Sequence, residues 1–238
     1  MPPELPYRPY KNEVWRLVEA QHIVSTMKLV DSREEQEFLE AILETTKPPL
    51  PPECQHLHYL LGAPFRYGRY PRDSRFRRTG ESPGVFYGAE DPMTAVAETV
   101  WHRRDFFKGS PGTPIPEVPG TYTAFSVPVQ SPLAIDLTEP PLSSEDARWT
   151  DPDDYDACLD LADRAREEGC ELIRYTSVRH PAALPNIAVL TCQAFDSSEP
   201  NQFQTWHIHL RPGRTQVRRQ HPKVSAEFRI GEFKLEFI

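Results

Sequence analysis

Residues 74–98 read SRFRRTGESPGVFYGAEDPMTAVAE. Three arginines, Arg75, Arg77 and Arg78, crowd around Phe76 just ahead of an apolar run, and Glu98 closes an alanine-rich stretch. Pro83-Gly84 marks a turn, so VFYGA reads as a buried strand. Asp91 is placed to cap a helix with Pro92 at its first position. In that helix, PMTAVAETVWHRRDFF, Val96, Val100 and Trp101 share one side, and Glu98 projects from its edge. A basic loop, a strand and an acid-bearing helix in immediate succession point to cations and one carboxylate gathered at one sheet end.

The rest of the chain sharpens that reading. With 238 residues and a formal net charge of −8, the surface as a whole is a poor host for nucleic acid. A local basic cluster is therefore informative: Arg66, Arg69, Arg72, Arg75, Arg77 and Arg78 fall close together, opposed only by Asp73. Guanidinium forks grip phosphate oxygens in pairs and keep their charge when partly desolvated, which suits a pyrophosphate-bearing ligand. The bland alternative is a solvated basic loop. Glu98 has two readings as well, a half-buried helix glutamate paired to an arginine, or a carboxylate that stabilises positive charge on a sugar ring as a glycosidic bond breaks. Tyr87 is either a core tyrosine or a ring on which a ligand stacks. Ser177, in RYTSVRHP, ends a strand where a hydroxyl can meet a ligand, and no G-x-S-x-G surrounds it to make it a hydrolase nucleophile.

Other chemistries find less support. His56 with His58, and His207 with His209, lack further ligands at known spacing, so no metal is expected. Neither G-x-G-x-x-G nor a P-loop occurs. Cys54, Cys158, Cys170 and Cys192 form no C-x-x-C pair, no opening segment reads as a signal peptide, and no apolar run approaches about 18 residues. A cytoplasmic protein with free thiols and no membrane contact is the expectation.

In organisation, the proline-rich residues 1–13 read as a loose arm. DSREEQEFLEAILETTKPP follows as a helix with a Ser32/Glu35 capping box and an apolar stripe of Phe38, Leu39, Ile42 and Leu43. PFRYGRY (64–70) reads as a short strand, and TYTAFSVPV and PLAIDL as two more. A helix is expected from Asp151-Pro152 to a stop at Gly169, then strands in ELIRYTSV and NIAVLTCQAF. The alternation in TWHIHLRP and VSAEFRIGEFKLEFI predicts paired strands to the end of the chain. Strands dominate and βαβ units are few, so the fold class is α+β.

The stretches PFRY, SRFRR, GVFYGAEDPMTAVAE and IRYTSVRHPAALPNIAVL together resemble the RES-domain toxins, the toxin half of RES–Xre toxin–antitoxin pairs, over about residues 64–195. The resemblance implies an ADP-ribosyltransferase-like fold with two small sheets around an NAD cleft. The chain then divides into an N-terminal helical extension (1–60), a RES core (61–195) and a C-terminal β extension (196–238). It further implies consumption of NAD as substrate, by transfer of ADP-ribose to a protein or by release to water or phosphate. By the same resemblance Arg75 is the pyrophosphate anchor, Tyr87 flanks the nicotinamide or its ribose, Glu98 is the catalytic acid and Ser177 bonds nicotinamide or ribose. Arg66 with Tyr67 is preferred to Arg16 as the first family arginine, because PFRY immediately precedes the arginine loop. A cognate antitoxin that inserts into or covers the cleft is expected as partner, a carboxylate being the natural ligand for such a cleft. A non-catalytic nucleotide-binding module is the competing reading from another class.

Overall fold

The computed structural model of the chain describes residues 5–20, 30–230 and 235–237. The opening segment departs from the expected loose arm. Tyr7–Glu19 is a long strand, β1. Its apolar half, VWRLV, buries Val14 and Trp15 on opposite faces, which hides the period-two signature and makes it read like the start of a helix. Pro9 lies where its ladder shifts register, between Arg8 and Tyr10, as suits a residue without an N–H.

The helix α1 (Arg33–Thr46) forms where the capping box predicts it: the Ser32 hydroxyl accepts the Glu35 N–H at 3.1 Å. Its apolar stripe is not buried, however, and Phe38 is 69% exposed. The helix α2 (Tyr59–Arg66) stands where PFRY was expected to begin a strand. Leu61 and Phe65, four residues apart, are both buried on one face of it, and that burial selects the helix. Only Arg69–Tyr70 is extended, as β2, paired with β3 (Gly80–Glu81) in a two-stranded sheet.

The strand β4 (Phe86–Ala89) and the helix α3 (Pro92–Gly109) follow as anticipated, and the Asp91 carboxylate accepts the N–H of Met93 at 2.8 Å. The two strands expected next are one, β5 (Gly120–Asp136), long enough to run along all of β1. A short helix, α4 (Asp146–Trp149), leads to α5 (Asp156–Glu167), which starts four residues after Pro152 and stops before Gly169. The strands β6 (Leu172–Thr176), β7 (Pro185–Val189), β8 (Phe203–Arg211), β9 (Arg214–Arg219), β10 (Val224–Ile230) and β11 (Leu235–Phe237) follow among the described residues.

Mixed α and β content agrees with the reading of the sequence, but the strands do not split into two small sheets. Nine of them form one sheet in the order β1-β4-β7-β6-β5-β8-β9-β10-β11, and β1 also pairs with β5. The first five therefore close on themselves, from β1 through β4, β7 and β6 to β5 and back to β1, while β8 to β11 extend the sheet as a meander from β5. Gly88 permits the closure: a Cβ there would stand 2.9 Å from the Trp15 carbonyl oxygen of β1.

Buried side chains from all five ring strands, among them Val14, Phe86, Phe125, Leu172 and Ile187, meet Leu61 and Phe65 of α2. A second cluster lies under α5 and includes Phe76 of the arginine loop, and a third lies under α3 with Trp15 and Trp206. Cys54 and Cys192 are joined as a disulfide, with Cα atoms 5.6 Å apart, against the expectation of free thiols. Their separation of 138 residues concealed the pairing; the turn ahead of α2 and the one after β7 bring them together. Cys158 and Cys170 are free and buried.

Candidate active site

The first half of α3 turns a face of Ala95, Val96, Ala97 and Val100 into the third core cluster, which fixes how the helix rotates. Glu98, between those positions, is left half-buried at the edge of a cavity of about 510 Å³. Two side chains meet its carboxylate, and both bond the same oxygen. The Ser177 hydroxyl donates to Oε1 at 2.6 Å and the Asn186 Nδ2 at 2.7 Å. Ser177 has no choice of direction, because its oxygen already accepts the backbone N–H of Arg179 at 3.2 Å and of His180 at 3.0 Å. Oε2 accepts no hydrogen bond among the described residues.

The arginines ahead of β4 do not converge as expected. Their environments differ. Arg66 pairs with Glu44 of α1, away from the cavity, and Tyr67 beside it is 44% exposed; neither lines the site. Arg78 reaches α5, with Nε 2.6 Å from Asp163 and an η nitrogen 2.6 Å from Asp160. Arg75 does line the cavity, but its guanidinium donates to the Trp149 and Asp151 carbonyls at 2.7 and 2.8 Å and lies over the Tyr155 ring. It is 7% exposed and ties the loop before α5 to the arginine loop.

Arg77 is different. Its guanidinium stacks on Tyr70, 3.6 Å from the ring centre, lines the cavity, and meets no carboxylate or hydrogen-bond acceptor among the described residues. Its Nε is buried without a partner. Arg16, set aside in the reading of the sequence, also lines the cavity; it donates to the Tyr87 carbonyl at 3.2 Å and lies over Phe86. Burial holds its pKa down to about 10, which marks a guanidinium that has lost water without gaining a carboxylate.

Tyr87 lines the cavity, and its hydroxyl takes part in building the loop: it sits 2.9 Å from the Ser74 hydroxyl and accepts the Phe76 N–H at 3.0 Å. Burial pushes its pKa upward. His102, one helical turn after Glu98, lines the cavity too; burial lowers its pKa against the opposing pull of the Glu98 charge. Arg179 stacks on Trp101 at 3.5 Å beside it. Among the described residues, no three His, Cys, Asp or Glu side chains gather as a metal site. No helix among them is long and apolar enough to cross a membrane.

The structure thus brings Glu98, Ser177, Tyr87 and Arg75 to one place and leaves Arg66 and Tyr67 out of it. Sequence reasoning missed Asn186, His102 and the assignment of Arg77 and Arg16. A signal was present for two of these, an asparagine at the head of the apolar strand NIAVL and a histidine four residues from Glu98.

Comparison with known proteins settles the family. The profile described as RES domain matches residues 50–211, well over half of the chain. The chain belongs to the RES domain family. The cavity-lining residues from Arg72 to Asn186 lie within the matched segment, while Arg16 and Leu17 of β1 lie ahead of it. Among curated proteins no relative matches. Among solved structures, the chain is similar to one described as the M. tuberculosis MbcT–MbcA toxin–antitoxin complex, with 13% identity over 83% of this chain and 85% of that chain and a TM-score of 0.47.

Proposed function

We propose that this RES-domain protein breaks the bond between nicotinamide and ribose in NAD, as the toxin of a toxin–antitoxin pair. One observation supports the reading: a carboxylate held on one oxygen and open on the other shares a cavity with guanidinium groups, Arg16 and Arg77 among them, that meet no carboxylate among the described residues. NAD offers the complement of that arrangement. Its two phosphates suit Arg77 and Arg16. Its pyridine ring is cationic before cleavage and departs as neutral nicotinamide, taking the bonding electron pair. Positive charge then develops at C1′ of the ribose, where Glu98 Oε2 stabilises it electrostatically. The acceptor adds to C1′ and releases its proton to solvent. Tyr87 supplies a ring face for the nicotinamide, and Arg75 holds the loop that carries Arg77.

Transfer of ADP-ribose to a protein is the first form of this reaction. A small acceptor is favoured by a specific feature: Val96, two residues before Glu98, is fully buried in the core, so no side chain there orients a protein nucleophile. Water or phosphate in that role makes the protein an NAD-depleting enzyme. An antitoxin that presents a carboxylate, such as a chain terminus, to Arg16 and Arg77 would silence either form. The test is a cell lysate supplied with the protein and with NAD labelled in its adenosine half. Label on a protein band means transfer, label in ADP-ribose or its phosphate ester means a small acceptor, and undiminished NAD overturns the proposal.

A further inference from the structure

Asn186 stands at a costly position. It is the second residue of β7, between Ala89 of β4 and Tyr175 of β6, on a strand that continues as Ile187, Ala188 and Val189, all fully buried. It is 2% exposed, and its Oδ1 is buried without a hydrogen-bond donor among the described residues. An apolar side chain of the same size would satisfy the strand better, since a buried carbonyl without a donor is destabilising. The carboxamide lies beside the Tyr175 hydroxyl, and its best-formed bond is the 2.7 Å one from Nδ2 to Glu98 Oε1.

Ser177 and Asn186 approach that oxygen from different elements, one from the turn after β6 and the other from β7. Two donors on one oxygen restrict rotation of the carboxylate about its terminal torsion, which is otherwise broad. With Oε1 held by two donors, Oε2 is the oxygen left without one among the described residues. We propose that Asn186 is a positioning residue that locks the Glu98 carboxylate in the orientation the reaction uses. The inference rests on the reading of Glu98 as the group beside C1′. It assigns Asn186 no contact with the reacting atoms.

The test compares Asn186→Leu and Asn186→Asp with the unaltered protein. Asn186→Leu keeps the volume and removes both the donor and the unpaired carbonyl. Its melting temperature should equal or exceed that of the parent, while kcat for nicotinamide release from NAD falls about 10- to 100-fold and KM moves less than about twofold. Asn186→Asp is the closer match in shape, yet it sets a second carboxylate against Oε1 and should lower kcat further. A merely structural role would reverse that order. Parental kcat in Asn186→Leu overturns the inference and leaves the NAD reading intact; if that variant does not fold, parental kcat in Asn186→Asp overturns it equally. If the unaltered protein releases no nicotinamide, the NAD reading fails, and a crystal structure of Asn186→Leu then decides. Glu98 displaced or spread over two rotamers supports the lock, and Glu98 unmoved overturns it.

Discussion

The two ends of the cavity are built on opposite principles. At the Glu98 end, neutral donors converge on one oxygen of one acid and hold it still. At the arginine end, Arg16 and Arg77 rest on the rings of Phe86 and Tyr70 and meet no carboxylate. The first end holds its acid by one oxygen, and the second is short of an anion. That contrast assigns them different work: the acid end acts on the barrier, the cationic end on ligand affinity. Binding energy that is equal in ground and transition states lowers KM alone, whereas charge placed where it develops in the transition state raises kcat.

The largest expected effect breaks the acid end. Glu98→Gln keeps the shape and removes the charge, and nicotinamide release should fall on the order of 10²-fold or more with KM little changed. A thermal melt checks that the fold survives. Next comes the cationic end. Arg16→Met and Arg77→Met, each and together, should raise KM for NAD about tenfold per arginine with kcat nearly intact. A fall in kcat with unchanged KM would erase the contrast. Arg75→Met tests the distinction between an anchor and a brace. It leaves the Trp149 and Asp151 carbonyls without their donor, so stability should drop by about 1–3 kcal/mol in denaturant unfolding. Loss of affinity without loss of stability would return Arg75 to the ligand.

A smaller effect follows from pH. Burial lowers the pKa values of His102 and His180 below the usual 6.5, so the unfolded chain binds more protons than the folded one just below that value. Their contribution to stability is complete above pH 6.5 and declines as the pH falls, and the melting temperature should decrease from pH 6.5 towards 5. Replacing His102 with Gln should flatten that slope. Smallest of all is Arg66→Ala, which removes a pairing with an exposed glutamate of α1 and should leave kcat and KM within about twofold.

Local signals in the sequence were legible where they were self-contained. Asp91 followed by Pro92 gave α3, Pro83-Gly84 gave the turn into β4, and Ser32 with Glu35 gave α1. Contacts set by distant partners were not. The VWRLV run of β1 buries both faces because β4 and β5 flank it, and no local periodicity reveals that. PFRY became the end of a helix because Phe65 joins a core assembled from five strands. The arginines of one loop look equivalent in a string of letters. Their fates differ because Asp160, Asp163 and the Trp149 carbonyl lie some 70 to 85 residues further on. Asn186 shows in the sequence only as a polar residue at the head of an apolar strand, and its bond to Glu98 appears only once β7 is laid beside α3.

The most direct test is a crystal structure with a non-cleavable NAD analogue. The account predicts its diphosphate against Arg16 and Arg77, its nicotinamide over the Tyr87 ring, and C1′ beside Glu98 Oε2 with Ser177 and Asn186 still on Oε1. A diphosphate bound elsewhere, or a ribose beyond reach of Glu98, would contradict it.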